Sequence, residues 1–289
     1  MIGFGQNVYI PDANFKAYLV GEPLINTNGD AEIQVSEASS YNGYIICSNL
    51  NISNLIGIEA FTALTDLRCS SSNLTTLDVS QNVNITRLRL HNNNLTSIDV
   101  SQNTILEFLE LNDNQLVSLD VSQNTSLIEL RCDNNQLTSI DVSNNLALNF
   151  LYCSDNLITN LDISSNTSLY SLFCYGNQLI NLNVKNGNNF NWLETFEGIT
   201  FRCANNPSLT CIEVDDIAFS DTNWTVANGY IDPQHYFSNN CTPSAIQEQS
   251  TNKQLLKVTD LLGRETKNTN QPLIYIYDDG TVEKRIVIE

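Results

Sequence analysis

Basic residues are scarce in this 289-residue chain, which has 13 Lys and Arg against 32 Asp and Glu and a formal net charge of −19 at pH 7. Nucleic-acid binding needs clustered basic side chains that neutralise phosphates, and binding to an anionic membrane surface needs them too. The charge therefore argues against both kinds of partner. Long apolar runs are also absent, since no stretch reaches 18 residues, and we expect no insertion into a membrane.

Histidine is equally scarce, with only His91 and His235 in the whole chain. The sequence shows no Ser-His-Asp or Cys-His arrangement for nucleophilic catalysis, and its glycines form no phosphate-binding loop. We therefore expect a protein without enzymatic activity.

The chain does contain a strongly periodic repeat. Five copies of a 21-residue unit run from Leu74 to Gln178 with the consensus LxxLxLxxNxLxxLDVSxNxx, in which Cys often replaces the third leucine. Degenerate copies extend the pattern at both ends. A short, fixed period predicts a solenoid in which each coil packs on its neighbours.

This consensus is that of leucine-rich repeats and resembles the bacterial 21-residue class called IRREKO, in which the second half of each repeat echoes the first. Alternation predicts two strands per coil, with Leu109 and Leu111 pointing inward from the first and Leu119 and Val121 from the second. We predict a mainly β fold with a helical cap, in which residues 45–205 form a leucine-rich-repeat solenoid with two parallel β-sheets.

Two columns of asparagine occupy the corners of the predicted coils. A buried Asn side chain offers donors and an acceptor to backbone groups that a turn leaves unpaired, so we assign both columns a structural role. The first column is Asn93, Asn114, Asn135, Asn156 and Asn177, and the second is Asn82, Asn103, Asn124, Asn145 and Asn166.

The eight cysteines divide by position. One repeat slot holds Leu90 and Leu111 in two coils and cysteine in others, which indicates an apolar interior position with buried thiols. Cys211 and Cys241 lie outside the repeat, and we pair them in one disulfide that closes a C-terminal cap, residues 206–242. The thiol column consists of Cys47, Cys69, Cys132, Cys153, Cys174 and Cys203.

One predicted outward face, which we call the acidic face, repeats almost unchanged from coil to coil. Its row of aspartates could bind divalent cations or a flat charged surface. Alternatively, the row is a solvated face that prevents edge-on association, with each Asp hydrogen-bonded to its local turn. The row consists of Asp78, Asp99, Asp120, Asp141 and Asp162, flanked by Ser80, Ser101, Ser122, Ser143 and Ser164.

The other outward face, which we call the varied face, differs in nearly every coil. Exposed positions that vary while the core stays fixed are those that a ligand contacts, and an exposed patch of aromatic rings suits sugar rings or a protein hot spot. Its last four aromatic residues are expected to form such a patch. We predict ligand contacts by Arg68, Arg87, Arg89, His91, Phe108, Arg131, Phe150, Tyr152, Phe173 and Tyr175.

Two interpretations of the varied face need no such ligand. Arg89, Glu110 and Arg131 stack in one row and could form a cross-strand ion ladder worth under ~1 kcal/mol per pair. Aromatic residues are also favoured on strands without any partner. In a third interpretation, the basic side chains surround a pocket for an anion, made of Arg68, Arg87, Arg89 and His91.

The N-terminal region, residues 1–44, combines an export-signal remnant with a cap. Gly3-Phe4-Gly5 before Gln6 resembles a signal-peptidase site and predicts a mature chain that begins near Gln6. Residues 11–22 are predicted to form a short helix that covers the open end of the solenoid.

A loop that resembles an EF-hand follows, with the sequence NTNGDAEIQVSE from Asn26 to Glu37. Oxygen-bearing side chains at alternate positions and a terminal Glu suit Ca²⁺, although Asn stands at position 1 and Ala31 replaces the turn glycine. We predict one structural Ca²⁺; the alternative is an Asx-rich turn without an ion. The predicted ligands are Asn26, Asn28, Asp30, Glu32 and Glu37.

The tail follows a polar linker, residues 243–254. In residues 255–289, two strand patterns flank Asp279-Gly280 and predict a hairpin. The tail resembles the C-terminal sorting domain of Bacteroidetes proteins exported by the type IX secretion system, which implies that machinery as a partner and a secreted or outer-surface location. The resemblance rests on Val258-Thr259-Asp260, Leu262-Gly263-Arg264-Glu265, Gly280-Thr281 and Lys284-Arg285-Ile286-Val287-Ile288.

Together these features favour a secreted or cell-surface binding protein that recognises a protein or polysaccharide through the varied face. The alternative is a structural or adhesion component of the cell surface that uses the acidic face. Apart from the structural Ca²⁺, we expect no cofactor.

Overall fold

The chain divides into two compact units, Met1–Cys241 and Thr242–Glu289. The predicted linker, the turn at Asp279-Gly280 and most of the predicted cleavage site lie outside the described residues. The computed structural model describes residues 5–189, 200–241, 255–259, 273–277 and 282–285.

Two short helices, α1 (Ala13–Gly21) and α2 (Val35–Ser40), form a cap in front of the coils. Asp12 is the N-cap residue of α1, because its Oδ1 accepts the Phe15 N–H at 3.0 Å. Its Oδ2 accepts the Ser53 N–H at 2.8 Å, which ties the helix to the first coil. The predicted helical cap is therefore confirmed.

The first half of each coil contributes one strand to an eight-stranded parallel sheet. Adjacent strands pair in register, so residues at the same repeat position lie beside each other across the sheet. Its strands, in spatial order, are β1 (Tyr44–Ile46), β2 (Asp66–Arg68), β3 (Arg87–Arg89), β4 (Phe108–Glu110), β5 (Glu129–Arg131), β6 (Phe150–Tyr152), β8 (Ser171–Phe173) and β10 (Phe201–Arg202).

The second half of the coils forms a sheet only toward the C-terminal end. This parallel sheet has four strands, in the order β12 (Tyr236–Ser238), β11 (Cys211–Glu213), β9 (Asn181–Asn183) and β7 (Asn160–Asp162). In the four preceding repeats the same positions alternate inward and outward but form a single bridge, Asp78 to Asp99. The prediction of two strands in every coil was therefore wrong. Alternation orients the side chains, but it does not by itself bring the backbones of neighbouring coils within hydrogen-bonding distance. The mainly β solenoid with parallel sheets is confirmed.

The first asparagine column pairs with the backbone through both ends of its amides. In the coil of Asn114, the side-chain Oδ1 accepts the Leu95 N–H at 3.0 Å. Its Nδ2 donates to the carbonyls of Leu90 and Leu111, both at 3.0 Å. This column therefore joins neighbouring coils, as predicted.

The second column uses only its donors. Asn103 Nδ2 donates to the Val79 carbonyl at 3.1 Å and to the Asn82 carbonyl at 2.9 Å. The Oδ1 atoms of all five members are buried and have no hydrogen-bond partner among the described residues. The predicted structural role holds for the donors, and the predicted acceptor role is wrong for this column.

Both cysteine predictions are confirmed. The six thiols of the column are free and buried, and Cys211 is bonded to Cys241 with a Cα–Cα distance of 5.8 Å. Burial raises the pKa well above its ordinary value at Cys132, Cys153, Cys174 and Cys203, which keeps these four thiols protonated.

A C-terminal cap closes the last coil with α3 (Ile217–Asn223) and Trp224. The Trp224 ring centroid lies 4.3 Å from that of Phe201 and 5.8 Å from that of Phe237, so aromatic packing fills this end of the core.

The second unit contains a three-stranded antiparallel sheet in the order β13 (Leu255–Thr259), β14 (Leu273–Tyr277) and β15 (Val282–Arg285). The antiparallel pairing of β14 with β15 confirms the predicted hairpin. Among the helices of the described residues, none has the length and apolar character needed to cross a membrane.

Candidate ligand-binding face

The varied face is the outward side of the eight-stranded sheet. Its in-register pairing places Arg89, Glu110, Arg131, Tyr152 and Phe173 in one row across five strands. Because each coil contains 21 residues and adjacent strands pair in register, side chains 21 positions apart in sequence become direct neighbours. The row changes from charged to aromatic along the solenoid.

The charged half of the face is largely paired. Arg68 forms an ion pair with Asp66 on its own strand at 2.6 Å. Arg89 Nε lies 3.0 Å from Glu110 Oε1, which is the first half of the predicted ion ladder.

The second half of that ladder does not form. Arg131 pairs with Glu129 on its own strand, and its guanidinium lies 4.7 Å above the Tyr152 ring centroid. Arg87 covers the Phe108 ring at 4.6 Å. Of the proposed anion pocket, Arg68 and Arg89 are therefore already neutralised by carboxylates.

A Ser-His-Glu group that sequence reasoning missed lies on the same face. The Ser70 Oγ is 3.1 Å and the Glu110 Oε2 3.4 Å from Nδ1 of His91. Both contacts fall on one nitrogen, so the ring cannot relay a proton between them as a catalytic triad requires. The shared repeat slot of Ser70 and His91 was the available signal for their proximity.

The aromatic half of the face contains five half-buried rings, which we call the aromatic row. The ring centroids of Tyr152 and Phe173 lie 5.0 Å apart in an edge-to-face arrangement, and those of Phe150 and Tyr152 lie 6.3 Å apart. Tyr170, which was not predicted because it precedes its strand, lies 4.6 Å from Phe150. The aromatic row is Phe150, Tyr152, Tyr170, Phe173 and Tyr175.

The predicted exposed patch is corrected in one respect. Phe150, Tyr152 and Phe173 come together, and all four predicted rings are half-buried, with arginines over Tyr152 and Tyr175. On the far side, the Arg202 guanidinium lies 4.9 Å from the Tyr175 ring centroid. The row is thus bordered by Arg131 and Arg202, and the ligand contacts themselves stay a prediction.

The acidic face bonds to its own turns. Each Asp Oδ1 accepts the N–H of the Ser two residues later at 2.8–2.9 Å, as predicted for a local turn. These hydrogen bonds lower the pKa of Asp78, Asp99, Asp120 and Asp141. These four aspartates therefore stay ionised to lower pH than free aspartates.

In the EF-hand-like loop, the predicted ligands mostly contact one another. Glu37 Oε1 accepts hydrogen bonds from Thr27 and Asn28, and Glu37 Oε2 accepts the Gln34 N–H at 3.0 Å as part of a capping box for α2.

The other ligand positions are similarly engaged. Asn26 donates to the carbonyls of Val20 and Asp30, and Glu32 pairs with Lys16 at 2.7 Å. Within the described residues, no three or more His, Cys, Asp or Glu side chains are placed to hold a metal. The calcium ion stays a prediction.

Comparison with known proteins found one segment of clear sequence similarity. A stretch of 77 residues, 26% of the chain, is 36% identical to Internalin J of Listeria monocytogenes. The match spans 8% of that protein, so the chain corresponds to a small part of this relative. No family model matches the chain.

Three solved structures are also similar. The functional domain of InlJ from Listeria monocytogenes, which includes a cysteine ladder, is 30% identical with a TM-score of 0.44, over 75% of this chain and 59% of that domain. Internalin C2 of the same species is 20% identical with a TM-score of 0.46, over 62% and 91% of the two chains. A leucine-rich-repeat protein of Leptospira interrogans is 24% identical with a TM-score of 0.44, over 58% and 40%. By its own repeats and coils, the present chain is a leucine-rich-repeat solenoid with sequence similarity to Internalin J over 77 residues.

Proposed function

We propose that this chain is a non-catalytic binding protein that holds a protein or a polysaccharide with the varied face. The observation that carries the proposal is the aromatic row, in which three rings on adjacent strands of a regular sheet and two rings beside those strands are bordered by arginines. Aromatic residues and Arg are the side chains most enriched at the centres of binding interfaces. Tyr170 also packs against the core, whereas the other four rings lie on the outward side of leucines that are already fully buried.

The test compares the two faces of the full chain. Wild type, Tyr152→Ala/Phe173→Ala and Asp120→Asn/Asp141→Asn are applied to a glycan array and to a library of extracellular protein domains, with calcium present. The aromatic double variant is expected to lose about 100-fold in affinity, since each anchoring ring contributes roughly 1–2 kcal/mol. The acidic-face variant keeps its binding.

The alternative is a structural or adhesion role for the acidic face, whose five aspartates present a regular, exposed row. Loss of binding in the Asp120→Asn/Asp141→Asn variant, with full binding in the aromatic variant, would support this alternative and contradict the main proposal. Circular dichroism of both variants checks that the coils are intact.

We also propose that the protein is exported and displayed outside the cell by a type IX secretion system. The resemblance of Gly3-Phe4-Gly5 to a signal-peptidase site, the Cys211–Cys241 disulfide and the sorting-domain resemblance support this proposal. Expression of the full chain and of a chain truncated before residue 255, in a bacterium with this system, provides the test. Equal surface display of both would contradict it.

A structural Ca²⁺ in the EF-hand-like loop is the third proposal. The alternating oxygen side chains support it, although Glu37 would have to exchange hydrogen bonds for the ion. Thermal unfolding of wild type and Glu32→Gln with calcium or a chelator tests it. The midpoint of wild type should rise with calcium and that of the variant should rise less; no change in wild type would contradict the proposal.

A further inference from the structure

A gap that we call the notch lies at the end of the aromatic row, where the residue at one repeat position is a glycine and therefore has no side chain. Residues of this slot have a positive φ, including Gly176 at 66°. A Cβ at position 176 would collide with Oδ1 of Asp155 in the neighbouring coil. Glycine therefore leaves space that the Asp155 carboxylate enters. In earlier coils the slot holds Ser71, Asn92, Asp113, Asn134 and Asp155.

Polar groups around the notch have unused hydrogen-bonding capacity. Ser154 is 1% exposed, and its Oγ has no hydrogen-bond partner among the described residues. The buried Nε of Arg202 has none there either, although the guanidinium covers the Tyr175 ring. Buried polar atoms without partners are uncommon in folded proteins, because each costs desolvation free energy.

The Asp155 carboxylate adds an acceptor to these groups. Burial raises its pKa, and the nearby Arg202 charge only partly offsets that effect. A donor, a hydroxyl and an acceptor thus lie together beside aromatic rings. A ligand that both donates and accepts hydrogen bonds through closely spaced hydroxyls would complement the Asp155 carboxylate and the Arg202 guanidinium.

Charge around the notch disfavours ionic ligands. Arg131 is paired with Glu129 and Arg202 lies near Asp155, while the Asp133 carboxylate adds a further negative charge close to Asp155. An anionic ligand would be repelled by these two aspartate carboxylates, which outnumber the Arg202 guanidinium. A cation would have to displace the arginines from the Tyr152 and Tyr175 rings.

We propose that the notch and the adjoining aromatic row form a subsite for the sugar rings of a neutral polysaccharide. The apolar face of a sugar stacks on Tyr152 and Phe173, while its hydroxyls donate to Asp155 and accept from Arg202, with Ser154 at the floor. The inference rests on the proposed function of the varied face and deepens it by naming the class of ligand.

The repeat supplies a matched pair of variants for the test. Asp155 and Asp113 occupy the same slot with φ angles of 53° and 56°. Asparagine fills this slot at positions 92 and 134 with φ angles of 56° and 53°. Asp155→Asn and Asp113→Asn should therefore both fold, and they change the charge by the same amount.

The full chain and both variants are titrated calorimetrically with neutral hexasaccharides of β-1,4-linked glucose, mannose or xylose. Hexagalacturonate and a chitosan hexamer serve as anionic and cationic probes. At least one neutral hexasaccharide should bind wild type, and Asp155→Asn should weaken that binding about 10-fold, as expected for one lost hydrogen bond to a charged group. Asp113→Asn should bind like wild type.

Three results overturn the sugar subsite: no neutral hexasaccharide binds, a charged probe binds more tightly, or the two variants weaken binding equally. If a protein domain binds instead, and Tyr152→Ala/Phe173→Ala abolishes that binding, the sugar subsite is wrong while the proposed function stands. If no ligand of either class depends on the aromatic row, both proposals fail.

Discussion

The two sides of the same coils follow one alternation of inward and outward residues, yet they differ in structure and in variation. The first side forms a continuous eight-stranded sheet, and its outward residues change from coil to coil. The second side forms a four-stranded sheet only near its C-terminal end, and its outward Asp and Ser repeat almost unchanged.

This difference separates two roles of outward residues. On the acidic face the carboxylate bonds to its own turn in every coil, so the repeated Asp-x-Ser serves local structure. On the varied face the sheet already satisfies the backbone, and the outward side chains are free to contact one another or a ligand. Uniformity therefore indicates a backbone requirement, whereas variation indicates that the backbone imposes none.

The largest predicted effect compares the two asparagine columns. Asn135→Ala leaves the Leu116 N–H unpaired and removes one of the two hydrogen bonds to each of two buried carbonyls, which keep their bonds from Asn114 and Asn156; it should cost roughly 3–5 kcal/mol of unfolding free energy. Asn124→Ala removes two hydrogen bonds to carbonyls that keep a backbone N–H partner, and it also removes an oxygen that has no partner among the described residues, so it should cost roughly 1–3 kcal/mol. Urea unfolding of the full chain measures both, and equal losses would contradict the assigned difference.

The next effect compares the cysteines of the two sides. Cys211→Ala/Cys241→Ala opens a disulfide with a sequence separation of 30 and should cost about 3–4 kcal/mol. Reductant should lower the unfolding midpoint of wild type and leave that of the double variant unchanged.

The thiols of the first side provide the control. Because all six are buried, they should react with a thiol reagent only as the protein unfolds. Rapid modification of the native protein would contradict this expectation.

A smaller effect concerns coupling across the varied face. A double-mutant cycle with Arg131→Ala and Tyr152→Ala should give an interaction free energy of roughly 0.5–1 kcal/mol, since the guanidinium covers the ring. The cycle that combines Arg131→Ala with Ser122→Ala, on the acidic face, should be additive. Equal coupling in both cycles would show that the stacking contributes nothing specific.

The smallest predicted effects concern the pH dependence of stability. The charges of Asp120 and Asp155 should affect the free energy of unfolding with opposite signs. The backbone hydrogen bond from Ser122 lowers the pKa of Asp120, so its stabilisation is present above the unfolded pKa of about 3.9 and lost as pH falls through the folded pKa. Burial raises the pKa of Asp155, so its charge destabilises the fold at neutral pH, and that cost disappears as pH falls.

Urea unfolding of Asp120→Asn and Asp155→Asn from pH 7 to pH 3 measures these signs. At pH 7 the first variant should be less stable and the second more stable than wild type, and both differences should shrink with acid. A shift of the same sign in both variants would contradict the assigned environments.

Much of this architecture was predictable from the sequence, because each repeat position is occupied several times and the residues found there can be compared. A slot that accepts both Leu90 and Cys132 must be apolar and interior, and both residues are fully buried. The disulfide followed from two cysteines outside the period. The second strand in the early coils was wrongly predicted, since a pattern that orients side chains does not decide whether neighbouring backbones bond.

The candidate site was predictable only in part. The slots of the varied face identified most of the aromatic row, but Tyr170 and the Ser70–His91–Glu110 contacts depend on rotamers and on residues outside the consensus. Whether Arg131 would pair with Glu110 or Glu129 could not be decided from the sequence, because both carboxylates are close to it and side-chain packing selects one.

By itself, the sequence determined the coil, its inward columns and the sides of the chain that face outward, because a 21-residue period admits one stacking. Only the tertiary structure decided which asparagine oxygens stay unpaired among the described residues, which arginines cover rings and where a glycine opens a notch beside Asp155. Those outcomes depend on ångström-scale distances between side chains of different coils, and periodicity specifies which residues are neighbours without specifying how they meet.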